Sequence, residues 1–318
     1  MPLLLTETDV PSLLSTEEAI PIVEDCFREQ GLGRAENPAR FRMPIRKGFL
    51  QFGPAALHRD GMMGFKLWAN FGSPLRQVWN FLFDIESSEL VAIIQAHLIS
   101  KYRTAAVTAT AVRHLSPVDA SRLGVYGTGR QAEAQVEAIA RVRPIRSVRV
   151  FSRTAEKREA FATRMSARLG IDVVPVDRPD AVPPDAQIVL TITSADTPVL
   201  LGAWLTDPCL MIGAGANHWH EREIDGDAVS RAALIVVDDK EQAKVEGGDL
   251  LWAISHGMLT WDRVENLGHV VTGRVPVPAF RDNFILFESH GLAIADMAVS
   301  VAAYRRAIER GVGRQIEL

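Results

Sequence analysis

The sequence predicts an α/β protein in which a Rossmann-like nucleotide-binding domain is joined to an α+β domain. Three observations carry this. Residues 122–153 (RLGVYGTGRQAEAQVEAIARVRPIRSVRVFSR) run in the order strand, glycine turn, helix, strand, which a dinucleotide-binding βαβ unit requires. Further on, AQIVLTIT (186–193) is a continuous apolar run of the kind buried in a parallel sheet. Residues 40–83 instead alternate short apolar stretches with Gly and Pro, the pattern of antiparallel strands.

The bulk composition fits an ordinary globular protein: 318 residues, 47% hydrophobic and 23% charged. That length accommodates two domains. A net charge of −4 with no basic run speaks against a nucleic-acid surface. MPLLLTETDVPSLL lacks a basic leader and is soon interrupted by acids, so no secretion signal and no membrane span is expected. Cys26 and Cys209 stand far apart without metal-like spacing. Buried, reduced thiols and a cytoplasmic location are the simplest expectation.

In chain order, Ser15 and Glu18 form a capping box that opens a helix to Gln30, closed by Gly31 and Gly33. The strand-rich segment 40–83 follows, then a strand at 88–95 and a helix at 98–115 rich in small residues. Ser116-Pro117 ends that helix, which places the domain junction there. The nucleotide domain then spans 117–290, with a charged helix at 154–169 and further strands at 173–176, 186–193, 210–213 and 233–237. A last helix, 291–310, returns to the first 116 residues or packs on the nucleotide domain.

The glycine turn reads G-x-G-x-x-A: Gly127 for the tight turn, Gly129 for close approach of a pyrophosphate, Ala132 for helix–strand packing. Thr128, Arg130 and Gln131 complete the loop, and the phosphates would lie at the helix N-terminus. The plainer reading is an ordinary turn in another α/β sheet. The second strand ends Ser152-Arg153-Thr154, where an NAD-binding unit carries an acid for the ribose hydroxyl. Arg153, with Ser152, Thr154 and Lys157, would suit a 2′-phosphate, so NADP(H) is expected, with NAD(H) possible if Arg153 only covers the adenine. Polar groups after the later strands, Thr193, Ser194, Asn217 and Asp238, fall where ligands bind in open α/β sheets.

Three cations sit in apolar or small-residue surroundings: Arg40 (PARFRMP), Lys66 (GFKLWAN) and Arg103 (KYRTAAV). Taken singly, each is more simply a snorkelling surface residue. Taken together, the arginines could clasp a carboxylate and the lysine could move a proton. Trp68, Phe71 and Trp79 could wall such a site, although tryptophans often only pack. Their presence hints at a bulky, apolar or cyclic substrate.

These segments, with Gly53-Pro54-Ala55, RTAA (103–106), YGTGRQA, TITSADTPVL, GAGANHWHEREID, VVDD, EGGDL, VVTGRV and FESHGLAIADMA, resemble the ornithine cyclodeaminase/μ-crystallin family over nearly the whole chain. The resemblance implies a homodimer whose substrate and dimerisation domain is residues 1–116 completed by 291–318. It implies that Arg40, Lys66 and Arg103 bind an amino or imino acid, with Trp68 beside them, and that Lys66 transfers a proton. The activity implied is NAD(P)H-dependent interconversion of an imino acid, linear or cyclic ketimine, and an amino acid. One position departs. Asn217 stands where the cyclodeaminases carry a catalytic aspartate, and an amide accepts no proton at neutral pH. Asn217 is therefore expected to hydrogen-bond at the site, which disfavours an ammonia lyase using NAD catalytically. A non-enzymatic small-ligand-binding protein, with Trp68, Trp79 and Trp219 as an aromatic wall, is the third reading. His218, His220 and Glu221 lack further ligands in sequence, and no metal site is expected.

Overall fold

The computed structural model describes residues 1–72 and 77–317. By packing, the chain divides into two compact units: Met1–Val107 with Leu292–Leu318, and Thr108–Gly291. The sequence suggested a junction at 116/117 because Ser116-Pro117 ends a helix. The division by packing falls inside that helix, α3 (His97–Leu115), since a proline marks the end of a helix and not of a packing unit.

In the first unit, β1 (Leu3–Leu5), β2 (Ala35–Glu36), β3 (Phe41–Ile45), β4 (Gly48–Leu57), β5 (Met62–Asn70), β6 (Gln77–Asp84), β7 (Leu90–Gln95) and β16 (Arg314–Gln315) form one sheet. Its order is β16-β1-β7-β6-β5-β4-β2, with β3 also on β4. Every pairing is antiparallel except β1 with β7. Helix α2 (Thr16–Gly31) opens with the anticipated capping box, in which the Ser15 hydroxyl accepts from Glu18 N–H and the Glu18 carboxylate accepts from Ser15 N–H. The last helix, α10 (Ala293–Arg310), packs on β4, β5 and β6 and on α2.

Register assigns each residue of the sheet a face, because successive side chains alternate. Gly53 pairs with Lys66, which pairs with Asn80; Gln51 pairs with Trp68, and Arg42 with Gln51. These residues share the face that α10 covers in part, where Ser300 Oγ accepts from Asn80 Nδ2 at 2.8 Å. The opposite face is apolar: Phe41, Met43 and Ile45 from β3, Phe52 from β4, Phe65 and Met63 from β5, Trp79 and Phe81 from β6. Trp79 and Trp68 thus lie on opposite faces of the sheet. Trp68 and Trp79 therefore do not share the single wall that their sequence suggested.

The second unit is Rossmann-like. Strands β8 (Arg122–Tyr126), β9 (Ser147–Phe151), β10 (Asp172–Pro175), β11 (Ile188–Thr191), β12 (Leu210–Gly213), β13 (Ala232–Val237), β14 (Val264–Asn266) and β15 (Phe284–Glu288) build an all-parallel sheet. The order is β10-β9-β8-β11-β12-β15-β13-β14. Direction along the sheet reverses between β8 and β11, the topological switch point at which such folds bind ligands. Strand β15 was not anticipated. FILFE is short, and it becomes a buried central strand only because β12 and β13 flank it. Among the described residues no helix is long and apolar enough to cross a membrane.

Candidate active site

Two groups of side chains emerge, one in each unit. In the first, Lys66 rises from β5 into a cluster it shares with α3 and α10. Its Nζ donates to Ser100 Oγ at 2.6 Å and to Asp296 Oδ1 at 2.9 Å. Arg103 Nε lies 3.1 Å from Asp296 Oδ2. The side chains of Lys66, Arg103 and Asp296 are 11%, 10% and 1% exposed. Arg40 joins them across Gly53: a Cβ on Gly53 would lie 3.5 Å from that of Arg40 and 3.2 Å from that of Ala293. The absent side chain lets the first turn of α10 approach β4.

Burial sets the electrostatics. Desolvation pulls the Lys66 ammonium down to about 8, with Arg103 and Arg40 pushing the same way and Asp296 opposing. Burial would raise the Asp296 carboxyl, but Arg103 and Lys66 outweigh it and hold the group ionised, below its ordinary value. Arg103 Nη1 is buried with no hydrogen-bond partner among the described residues. Sequence reasoning named the three cations and Trp68, which shares their sheet face. It missed Asp296 and Ser100.

In the second unit the expected nucleotide residues lie at the carboxyl ends of adjacent strands. Gly127 to Gln131 follow β8, Ser152 to Thr154 follow β9, and Thr193 and Ser194 follow β11. Gly127 has φ +110°, and a Cβ there would meet Ile192 O at 2.4 Å, so the turn requires glycine. A Cβ on Gly129 would meet nothing within 4 Å. Helix α4 (Ala132–Val142) begins there with no side-chain cap, so its first N–H groups suit an anion. Open space at Gly129 beside an uncapped helix end fits a pyrophosphate. Thr128 Oγ1 donates to Ser152 Oγ at 3.2 Å, linking the turn to the end of β9, where Arg153 and Thr154 are exposed.

Asn217 follows β12, and its N–H donates to Glu221 Oε2 at 2.9 Å. The loop beneath is organised by Glu223, which sequence reasoning also missed. Its buried carboxylate accepts from Thr193 N and Oγ1, Gly215 N and Ala216 N at 2.6–3.2 Å. Burial raises its pKa and these four bonds oppose the rise. Asp249 accepts from Glu223 N–H; burial and the neighbouring Glu288 and Glu223 push its pKa well above the usual carboxylate range. His290, between Asp238 and Glu288, is raised to about 10, because those two carboxylates outweigh its desolvation.

A Rossmann-like unit whose glycine turn fits a dinucleotide, and a second unit bearing a buried Lys–Arg–Asp cluster, define the class: a nucleotide-binding α/β protein. The chain belongs to the ornithine cyclodeaminase/mu-crystallin family, which it matches over residues 1–311. It is 30% identical to an alanine dehydrogenase of Archaeoglobus fulgidus over 324 residues, covering 99% of this chain and 98% of that one. It is also similar to the solved Delta(1)-pyrroline-2-carboxylate reductase of Thermococcus litoralis in complex with NADH and L-proline. There the TM-score is 0.93 at 28% identity, covering 99% of this chain and 100% of that one. An archaeal alanine dehydrogenase dimer with bound NAD gives a TM-score of 0.93 at 30% identity, covering 99% of each chain.

Asp296 is the one cause that raises the Lys66 pKa among several that lower it. Asp296→Asn is therefore expected to move the Lys66 titration below its position near 8, read by NMR of the labelled ammonium. An unmoved titration would mean that the pair is not coupled as its 2.9 Å separation implies.

Proposed function

We propose that the chain is an NAD(P)-dependent oxidoreductase that interconverts an α-imino acid and the corresponding amino acid by hydride transfer. The observation that carries this reading is the buried Arg103 Nη1, without an acceptor among the described residues, in the same cluster as a Lys66 ammonium whose pKa is lowered to about 8. A buried donor left unpaired is costly. A substrate carboxylate is the acceptor that offsets the cost, through a charge-assisted bond. Relatives named as acting on alanine and on pyrroline-2-carboxylate handle substrates of this chemistry.

In this reading Arg40 and Arg103 hold the carboxylate. Lys66 donates its proton to the imine nitrogen during reduction and takes it back during oxidation. When bound, the nicotinamide supplies or accepts the hydride. The loop 127–131 would hold the cofactor pyrophosphate, and Thr193 and Ser194 would border the same cofactor. Asn217 would hydrogen-bond at the site but cannot serve as a base, so the proton falls to Lys66. That division of labour suits simple hydride transfer better than a deamination, which needs a base at position 217.

Lys66→Met should lower kcat for imine reduction by about 10²–10⁴-fold while NADPH binding, followed by fluorescence, persists. In the wild type the reductive rate should fall as pH rises through about 8, where Lys66 loses its proton, and the oxidative rate should rise over the same range. Near-normal reduction by Lys66→Met would sink the proton assignment.

NADP(H) is the preferred cofactor in this reading, with NAD(H) accepted. The support is local: no carboxylate ends β9, and Arg153, Thr154 and Lys157 are exposed there. The solved relatives hold NAD or NADH, so the NADP(H) reading rests on this chain's own residues alone. The expected KM is lower for NADPH than for NADH, and Arg153→Ala should narrow the ratio by about tenfold. A wild-type preference for NADH would leave Arg153 as a cover for adenine.

The reading includes a cytoplasmic homodimer. Phe41, Met43, Ile45, Phe52 and Met63 are exposed together on the sheet face opposite Lys66, with Phe41 at 64%. A patch of this kind marks an association surface, and a second copy of the chain is the occupant proposed. Sedimentation should give a dimer for the wild type and a monomer for the Phe41→Glu/Met43→Glu variant. A monomeric wild type would remove the dimer from the reading.

A further inference from the structure

The two halves of the second unit's sheet diverge at the β8–β11 switch point. A dinucleotide lies across such a divide, one nucleotide to each half. On the far side, the loops after β11 and β12 close on one internal anion, the carboxylate of Glu223, a residue with no exposed surface. Its Oε1 accepts from Thr193 N–H at 2.6 Å and from the Thr193 hydroxyl at 2.7 Å. Its Oε2 accepts from Gly215 N–H at 2.7 Å and from Ala216 N–H at 3.2 Å. Successive N–H groups turned to one point bind an anion, and here the chain supplies the anion itself. The residue is also held from behind. Its N–H donates to Asp249, and its carbonyl accepts from Val199 and Leu200 N–H at 2.8 and 3.0 Å. The Thr193 hydroxyl gives its one proton to Glu223 and accepts from Ala195 N–H at 3.2 Å, so it has nothing left to donate to a cofactor. Its methyl instead borders the dinucleotide turn: a Cβ on Gly127 would lie 3.2 Å from Thr193 Cγ2 and 2.4 Å from Ile192 O.

We propose that Glu223 is a positioning residue for the dinucleotide: by clamping the loops after β11 and β12, it fixes the wall on which the Gly127 turn and the nicotinamide half of the cofactor rest. The inference rests on the dinucleotide-binding part of the reading above and is independent of hydride transfer and of the substrate. Its basis is a count of acceptors. An ionised carboxylate accepts at both oxygens, whereas glutamine, of nearly the same shape, offers one oxygen and an NH2 group. In Glu223→Gln that NH2 group would face two donors, at Thr193 or at Gly215 and Ala216. Buried donors without an acceptor are costly, so the loop that carries them must shift. None of the four bonds involves β9 or residues 152–154, where the adenosine half would lie. The effect is therefore confined to one half of the cofactor.

Binding without turnover tests this: fluorescence titration with NADPH and NADH, and calorimetric titration with the adenosine fragments adenosine 2′,5′-bisphosphate and AMP. Glu223→Gln is expected to weaken the dinucleotide that the wild type prefers by about 10- to 100-fold, with the affinity for the matching fragment unchanged. A general loss of structure would weaken both. Thr193→Val keeps the methyl and removes one of the four bonds, so it should give a smaller loss with the same selectivity. Combined, the two substitutions should cost less than the product of their separate effects, because they remove a shared bond. If Glu223→Gln does not fold, Thr193→Val carries the same comparison. Unaltered dinucleotide affinity in the variant, or an equal loss for dinucleotide and fragment, overturns the inference while leaving the cofactor reading in place. A wild type that binds neither NADPH nor NADH removes the cofactor reading itself, and the inference with it.

Discussion

The Asp296 carboxylate is the constraint on which the first unit's chemistry depends. It lies in the interior with Lys66 and Arg103 as its partners. Breaking a buried pair of this kind typically costs about 3–5 kcal/mol, because the remaining charge is left without compensation. Asp296 therefore ties together β5, α3 and α10, three elements distant in sequence. It also sets a proton affinity: burial lowers the Lys66 pKa, the carboxylate opposes that fall, and the balance lies at about 8. A lysine fully neutral at physiological pH could not donate a proton, and one titrating in its ordinary range would release it too slowly. The position between these limits suits an acid–base catalyst.

A buried carboxylate plays a parallel part in the second unit, for geometry instead of protonation. Glu223 gathers four donors from the loops after β11 and β12. Thr193, Gly215 and Ala216 are fixed by it, and Asn217 follows directly in the chain. The need for space is visible in Gly215, where a Cβ would lie 2.2 Å from Thr193 O and 2.7 Å from Glu223 Oε1. Glycine at this position thus serves the close approach of two loops.

Much of this was legible in the sequence where the signal was local. The βαβ unit has its own punctuation, and β8, α4 and β9 lie where the glycine turn placed them. Lys66 could be singled out because a cation inside GFKLW breaks an apolar alternation. Its partner could not. Asp296 sits in GLAIADMA, where one acid in a helix reads as an exposed residue, and it meets Lys66 across 230 positions of chain. Glu223 was hidden for the same reason, as one charge among several in HEREID. Trp79 was misplaced by parity: a strand read without its register does not say which of two adjacent tryptophan-bearing rows faces the lysine. FILFE gave no sign of being a central strand, because its place depends on neighbours far away in sequence.

Strand parity also explains how one sheet can serve two unrelated demands. Residues 41, 43 and 45 of β3 are apolar and exposed, whereas Arg42, between them, points to the other face with Gln51 and Trp68. A shift of one residue in the β3–β4 register would exchange the two sets, placing arginine on the apolar face and phenylalanine on the face of Lys66. The register is pinned from both sides: by Arg42 on Gln51, and by Phe41 opposite Phe52 on the reverse face. Covering the apolar face would therefore stabilise the same pairing that aligns the charged one. The two faces thus rest on one register, and a substitution on either face is felt on the other without touching it.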